Sequence, residues 1–568
     1  MSYRWQILEP APQEAVNELA AQLDLNPITL SILYQRGHTS PAAIDEFLTP
    51  DLSSGHDPFL MLGMEDAVER IRQALQAGEH IQVNGDYDVD GVSASALLVR
   101  VLRSFGAQAE ARIPHRTTDG YGLSLKAVEE AGEKGVTLII TVDCGISARA
   151  EVERARELGI DVIVTDHHTP GEGIPEAVAI LNPHQESCSY PFTDLCGVGI
   201  AYKLACALSP SGTEPSLLEY LDLVALGTTA DVVPLTGENR VFVKYGLPQL
   251  ARTRWPGLKA LMKRAGLTGH QVSASEAVFT IAPRINAAGR MGDARDAFEL
   301  LITDEHDRGA ELAKQLDTYN RDRRVADRDT LRSAREQVDS SGSLEDRHSL
   351  VLSAEDWHPG VIGIVASRLV ELYNLPTVLV AMDGEEGRGS ARSIAGFDLY
   401  DALHECGDHL EEFGGHPRAA GLCVSRENFI NFTEAFETIA RNRLPQCELE
   451  PYIDVDYEVL STDLTTSFLN ELKLLEPFGA GNRRPNLLLR NACVLGVPGR
   501  VGGDGAHLKF MVSVGEGNGT DVIGFNMGDR IDDLADGSID LVFAFEENEF
   551  RGVRKAQMRL KDMRPALP

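Results

Sequence analysis

Short apolar runs that stop at acidic residues recur along the first half of the chain. Ile81-Gln82-Val83 is strand-like and leads into Asn84-Gly85-Asp86-Tyr87-Asp88-Val89-Asp90-Gly91. From Val92 to Phe105, apolar positions at Val92, Ala96, Val99 and Leu102 predict a helix. Thr137 to Val142 is a second apolar run, ending at Asp143-Cys144-Gly145, and Asp161 to Thr165 is a third, ending at Asp166-His167-His168. Between them Ser147 to Leu158 predicts a helix with Ser147 as its N-cap. A fourth apolar segment, Leu223 to Ala230, leads to Asp231 and reads the same way, as a strand closed by an acid. Strands alternating with helices predict an α/β fold with a parallel sheet. Its ligands bind beyond the carboxyl edge, where these acids gather.

The pattern changes on either side of this region. Asn17 to Leu23, Pro27 to Arg36 and Pro41 to Phe47 predict three short helices that read as a packing appendage, and Glu65 to Gly78 predicts the helix that introduces the sheet. Phe279 to Gly292, with Arg284, Asn286, Gly289 and Arg290, reads as a loop whose small residues let a ligand approach the backbone. Asp293 to Val338 predicts a long helical region whose arginines are interspersed with acids, and Asp339 to Asp346 a turn-rich linker. A second α/β unit follows, with strands at 349–354 and 377–380 around a helix at 361–373. After residue 451, runs at 486–490, 492–496, 507–514, 520–525 and 539–546 predict short strands, a pattern suited to a small barrel.

The 568 residues exceed one core and suffice for three or four domains. With 43% hydrophobic and 24% charged residues the composition is that of an ordinary globular protein. No apolar run reaches the ~18 residues of a membrane span, and Met1 to Gln6 carries no apolar signal core, so a cytoplasmic location is expected. The 8 cysteines are scattered without a Cys-x-x-Cys and read as reduced thiols. The net charge of -33 counts against nucleic-acid binding, unless a basic groove is local.

Three carboxylates packed into Asp86, Asp88 and Asp90 repel one another unless a cation sits among them. With Asp143, Asp166, His167, His168 and Asp231 at the same edge, a divalent metal centre is the better reading. Aspartate with few histidines suits Mg²⁺ or Mn²⁺. In the polar loop Ala111 to Gly122, Arg116 reads either as a solvated side chain or as a phosphate ligand. Gly197 and Gly199 read as a turn entering a helix. Arg388, Ser390 and Arg392, with Gly414-Gly415-His416 before a helix N-terminus, read as an anion site or as a glycine-rich turn. Lys509, Phe510, Phe525, Arg551 and Arg554 read equally as a binding face or, for the aromatics, as core.

In this order, Asp-x-Asp-x-Asp-Gly from Asp86, Val-Asp-Cys-Gly from Val142, Asp-His-His from Asp166 and Ala-Asp-Val-Val-Pro from Ala230 resemble the DHH phosphoesterase superfamily. The fuller wording resembles its RecJ branch, from about Met64 to the C-terminus. After the helical extension (1–63), which it does not cover, the resemblance implies a parallel-sheet DHH metal-binding domain (64–292), followed by the connector (293–345). A smaller α/β DHH-associated domain (346–446) and a β-rich, OB-fold-like domain (451–568) complete it. The implied activity is 5′→3′ exonucleolytic hydrolysis of single-stranded DNA in repair and recombination, with two Mn²⁺ or Mg²⁺ ions. The implied ligands are Asp88, Asp90, Asp143 as the bridge, His167 and Asp231, with Asp86 completing the site. Asp166 would orient His167 or the first turn, and His168 would touch the scissile phosphate or assist proton transfer. Arg116, Ser390 and Arg392 would grip a terminal phosphate, Asn286 and Arg290 the backbone, and Gly414, Gly415 and His416 the substrate from the associated domain. Several DHH branches place a histidine four residues before the middle acid, where this chain has Asn84. A single-strand-binding protein and a helicase are the implied partners. The alternatives are a DHH enzyme acting on oligoribonucleotides or small nucleotides, and an inactive nucleic-acid-binding subunit of the replication machinery.

Overall fold

A computed structural model describes all residues except 1–2, 117, 172, 210–216, 343, 345, 446–449, 515–517, 536, 551–552 and 567–568. The chain forms two compact units, one comprising His56–Asp231 with Gly246–Pro451, the other Met1–Gly55, Val232–Tyr245 and Tyr452–Pro568.

In the first unit, helix α1 (Met64–Ala77) leads into β1 (His80–Asn84), α2 (Val89–Ser104), β2 (Gln108–Arg112), α3 (Leu125–Glu133), β3 (Leu138–Val142), α4 (Arg149–Glu157), β4 (Asp161–Thr165) and β5 (Ala179–Leu181). The five strands are parallel in the order β2-β1-β3-β4-β5. The order reverses between β1 and β3, and such a switch point opens a crevice at the carboxyl ends. Leucine, isoleucine and valine make up β3 except for Thr141, and the strand is buried throughout, as one covered on both faces requires.

Helices α5 (Gly197–Leu208) and α6 (Leu221–Ala230) pack against α2. The segment before Asp231 is therefore a helix that ends at that residue, not a strand. An apolar run buried on all sides carries no period that separates the two forms. Ser147 does not cap α4: the preceding residue is Ala148 and no side chain caps the helix. The expected loop after Phe279 is also helical, a π-turn at Ala277–Ile281 followed by α7 (Ala282–Met291). Its alanines favour helix over the coil that its glycine and polar residues suggest.

The region after residue 293 divides into a helix at Ala294–Ile302 and a 35-residue helix, α8 (His306–Ser340). Its arginines pair locally: Arg308 with Glu299 and Glu311, Arg332 with Asp329. A second sheet then forms from β6 (Leu350–Ala354), β7 (Thr377–Asp383), β8 (Glu386–Arg392), β9 (Glu412–His416) and β10 (Ala419–Ser425), with α9 (Ile362–Tyr373) between β6 and β7. The strand order is β9-β10-β8-β7-β6, antiparallel except for β6 and β7. Gly414-Gly415-His416 thus belongs to a hairpin strand and precedes another strand, not a helix N-terminus. Gly415 has φ +147° and a Cβ there would lie 2.5 Å from Ala420 Cα, so the close hairpin is what needs the glycine.

The second unit is a closed barrel. Leu487–Val501 pairs with His507–Val514, which pairs with Asn518–Gly524. That strand pairs with Val553–Pro565, which pairs with Ser538–Phe550, which returns to Leu487–Val501. The two runs expected at 486–496 are one strand. Val553–Pro565, rich in lysine and arginine, was not expected as a strand, although Ala556, Met558 and Leu560 alternate with polar residues as a half-buried strand does. The N-terminal helices Gln13–Ala20, Pro27–Gln35 and Pro41–Leu48 share the barrel's core. Val16, Leu30, Leu33 and Ile44 cluster with Phe468, Leu487 and Phe543. Arg240, 1% exposed, ties them together by donating to the carbonyls of Phe47, Leu475 and Glu476. Of the expected binding-face residues, Phe510 is buried in this core, Lys509 lies 3.6 Å from Asp521, and Arg554 pairs with Glu549. Phe525 is half exposed, and Arg551 lies outside the described residues.

Candidate metal centre

The first motif is a turn from β1 into α2. Asp88 is the N-cap of α2, its Oδ1 accepting from the N–H groups of Asp90 and Gly91 at 2.9 and 3.1 Å. Gly91 lets the turn close: a Cβ there would lie 2.8 Å from Asp86 Cβ. Asp90 points back to a different helix terminus, since both its oxygens accept from the first N–H groups of α5, Gly197 at 2.6 Å and Val198 at 2.9 Å. The Gly-x-Gly turn thus binds an internal anion, a carboxylate of the chain itself.

Asp143 ends β3 with φ 62°, a left-handed conformation that costs energy for a residue with a side chain. Thr141 Oγ1 donates to Cys144 O at 2.8 Å and braces the turn. Asp143 Oδ1 lies 3.1 Å from His167 Nε2, and Asp231 Oδ2 lies 3.6 Å from the same nitrogen. Neither Asp143 Oδ1 nor His167 Nε2 has a hydrogen-bond partner, nor does Asp86 Oδ1, although all three atoms are buried. Buried polar atoms without partners are rare, and a shared cation accounts for these.

Three groups bring potential ligand atoms within 4.8 Å of one another: Asp86, Asp88 and Asp143; Asp90, His167 and Asp231; and Asp143, His167 and His168. Burial, then mutual repulsion, pushes these acids out of the usual carboxylate range. Asp90 rises to about 7 and Asp231 to about 9, while Asp86 and Asp143 rise well above their ordinary value. Burial with His168 nearby lowers His167 to about 3, leaving its ring neutral and fit to ligate. Oxygen donors with one or two imidazoles fit Mn²⁺ or Mg²⁺, and a bound cation removes the repulsion.

Asp166 does not hold the His167 ring. Its Oδ1 lies 2.7 Å from His168 Nδ1 and accepts from the backbone N–H groups of His167 and His168, while Oδ2 accepts from Ile146. The turn after β4 sends the two histidine rings to different partners. Burial disfavours charge on both members of the pair, but the contact outweighs it, raising His168 and lowering Asp166. Tyr121, which the sequence did not single out, donates to Asp143 O at 2.9 Å and lies 3.2 Å from His168 Nδ1. Asn84 is fully buried at the end of β1, with neither side-chain atom hydrogen-bonded.

A cavity of about 360 Å³ opens nearby, lined by Arg116, Arg290, Arg388, Ser390, Arg392 and Gly363 among others, with no acid among the described residues of its wall. Arg116 stacks over Tyr87 with its guanidinium carbon 5.1 Å from the ring centroid, which links the cavity to the first motif. Arg392 donates to Ser390 Oγ at 3.1 Å and Arg290 to Gly360 O at 3.0 Å. Burial, with Arg116, Arg323 and Arg392 nearby, lowers Arg290 to about 10. Gly363, in the first turn of α9, was also missed: a Cβ there would lie 2.8 Å from Ser390 Oγ and 2.9 Å from Arg392 Nη2. Of the expected substrate residues, Gly415 lines the cavity but Gly414 and His416 do not. Asn286 instead accepts from Val89 N at 3.1 Å, tying α7 to the start of α2.

A model of the DHH family, N-terminal domain, matches residues 80–228, a DHHA1 domain model matches 347–442, and a RecJ OB domain model matches 455–562. The single-stranded-DNA-specific exonuclease RecJ of Bacillus subtilis (strain 168) is 39% identical over 98% of this chain and 70% of its own length. The crystal structure of RecJ from Thermus thermophilus in complex with Mn²⁺ matches at 34% identity and TM-score 0.84, covering 100% of this chain and 80% of that one. The same protein's structure with Mg²⁺ matches at 32% identity and TM-score 0.78, over 100% and 79%. With these acid clusters, this cavity and this domain series, the chain belongs to the RecJ family of single-stranded-DNA-specific exonucleases.

Proposed function

We propose that the protein is a metal-dependent exonuclease that hydrolyses single-stranded DNA from its 5′ end, within repair and recombination. What carries the reading is one juxtaposition. Asp143 clusters with Asp86 and Asp88 and lies 3.1 Å from His167 of the Asp90, His167 and Asp231 group. Both groups lie in the same unit as an arginine cavity with no acid among its described residues, joined to it through Tyr87 and Arg116. Mn²⁺ or Mg²⁺ would supply an activated water and would neutralise charge on the attacking and leaving oxygens.

The chain's residues divide the rest of the task. Asp86 and Asp88 would hold one ion and Asp90, His167 and Asp231 the other, with Asp143 beside both groups. The N-terminus of α5 fixes the Asp90 carboxylate. Asp166 favours the protonated form of His168, which suits that ring to contact the scissile phosphate or to deliver a proton to the leaving oxygen. Arg116, Ser390 and Arg392 grip the terminal phosphate, which fixes the polarity of digestion, with Arg290 and Arg388 adding charge. In this reading residues 64–292 do the chemistry, 346–446 hold the strand's end and 451–568 add affinity along it. No described helix is long and apolar enough to cross a membrane. A cytoplasmic setting, with a single-strand-binding protein and a helicase as partners, completes the proposal.

Single strands labelled at the 5′ or the 3′ end, incubated with and without Mn²⁺, test the reading. Release of the 5′ label first, abolished by chelation, is expected. Release of the 3′ label first, or digestion indifferent to chelation, overturns it. A dinucleotide cleaved faster than a long strand would favour a small-substrate enzyme.

A further inference from the structure

A lone exposed phenylalanine is ordinary on a protein surface, but Phe279 stands apart in three ways. It is 71% exposed in a unit whose other phenylalanines are mostly covered. It sits in the π-turn Ala277–Ile281, a distortion of helical backbone that occurs frequently at functional sites. And it shares a face with the residues that border the site. Phe279, Pro283, Asn286 and Arg290 follow one another at i, i+4, i+7 and i+11, the spacing of a single helical stripe. The intervening Ala282, Ile285, Ala287 and Ala288 are buried, while Pro283, Asn286 and Arg290 are only partly covered, and Phe279, just before α7, is the most exposed residue of the stripe.

The stripe has defined neighbours along its length. Arg290 donates to Gly360 O in the wall of the arginine cavity, and Asn286 accepts from Val89 N at the start of α2. The π-turn packs against α6, the helix that ends at Asp231. The segment therefore crosses the site from the phosphate cavity, past the first acid motif, to the helix carrying the last acid. Its length from Arg290 to Phe279 is about 16 Å at the rise of a helix. A strand keeping B-like spacing of ~3.4 Å per nucleotide covers that distance in about five nucleotides, and a stretched strand in fewer.

The geometry points to Phe279 as a stacking platform for a nucleobase of the bound strand, three to five nucleotides (~16 Å of strand) from the 5′ end. This inference rests on the reading of the site as a single-strand exonuclease. An exposed aromatic face accepts any base, which suits an enzyme that must advance along every sequence. Each hydrolysis then moves the next base onto the ring, so the contact survives translocation by one nucleotide.

The test is a scan of abasic positions. Binding of 5′-phosphorylated strands of 2 to 12 nucleotides is measured in EDTA, with one base removed at each position in turn. The full-length parent, Phe279→Ala and Phe279→Tyr are compared, with circular dichroism as a control. The parent is expected to lose about tenfold in affinity when the missing base lies in the third to fifth position, and less elsewhere. Phe279→Ala is expected to bind intact strands about tenfold more weakly, to bind the dinucleotide as the parent does, and to show no abasic penalty at those positions; Phe279→Tyr is expected to keep the penalty. Equal loss at every length, or a penalty that persists in Phe279→Ala, overturns the platform. A parent protein that binds no single strand overturns the functional reading itself.

Discussion

Gly197 donates its backbone N–H to Asp90 at 2.6 Å, and a Cβ at the same residue would lie 2.5 Å from Asp143 Cβ and 2.7 Å from its Oδ1. One glycine thus orients one acid and makes room for another. Gly197→Ala is expected to leave the Asp90 contact in place and to displace Asp143. A shift of about 1 Å in a catalytic group can cost on the order of a hundredfold in rate. Turnover at saturating Mn²⁺, measured beside circular dichroism, checks this. Activity within twofold of the parent would show that the helix terminus and Asp143 are not packed as described.

Asp143 carries the second prediction. Without a cation its carboxylate is buried among other acids, so the site stores repulsion that the metal relieves. Its left-handed backbone suits asparagine as well as aspartate. Asp143→Asn is therefore expected to abolish hydrolysis while raising the melting temperature in EDTA, by about 1 °C for each kcal/mol of relieved repulsion in a unit of this size. Mn²⁺ should raise the parent's melting temperature more than the variant's. A variant that melts below the parent in EDTA would mean that Asp143 stabilises the metal-free fold.

These two residues also mark how far the sequence could be read. Asp143 was legible because it ends an apolar run, and apolar runs report buried strands directly. Gly197 was not, because a glycine before a helix looks the same whether it meets a ligand or a side chain from elsewhere in the chain. Asp231 was found through its motif while its element was mistaken, since burial on all sides erases the period. Tyr121 and Gly363 act through contacts 22 and 27 residues away, to Asp143 and Ser390. The net charge of -33 counted against nucleic-acid binding. The objection loses force where charge is local, because four arginines line a wall whose described residues include no acid.

The cavity gives the third prediction. Arg392→Ala removes a charge-assisted contact to a terminal phosphate, of about 1.5–3 kcal/mol. That corresponds to roughly a ten- to hundredfold rise in KM for 5′-phosphorylated strands. Strands with a 5′-hydroxyl should lose much less. Gly363→Ala should mimic the effect without altering charge, because its Cβ would push Ser390 and Arg392 aside. Competition kinetics on the two kinds of end check both variants. Equal loss on both ends would move the terminal phosphate out of this cavity.

The fourth prediction concerns the barrel, and the structure changes how it must be tested. Cutting the chain at Pro451 would remove the partners of Val16, Leu30 and Ile44, which share one core with Phe468 and Phe543. Such a truncation is expected to aggregate, and its loss of activity would say nothing about strand binding. A surface substitution avoids this. Phe525 is 49% exposed, edge-on to His507, with the guanidinium carbon of Arg559 5.5 Å from its ring centroid. An aromatic beside a cation and an imidazole is suited to stack on a base, a contact of about 1–3 kcal/mol. Phe525→Ala should therefore weaken binding of a 40-nucleotide strand by roughly five- to a hundredfold and shorten each run of digestion. Cleavage of a trinucleotide should stay within twofold, because the chemistry is assigned to residues before 232 and the end-gripping cavity to residues before 422. Binding across a salt series and single-turnover cleavage of both substrates separate the effects. If long-strand binding is unchanged, Phe525 is not a stacking residue. If trinucleotide cleavage falls in parallel, the barrel's role lies in supporting the nuclease and not in holding the strand.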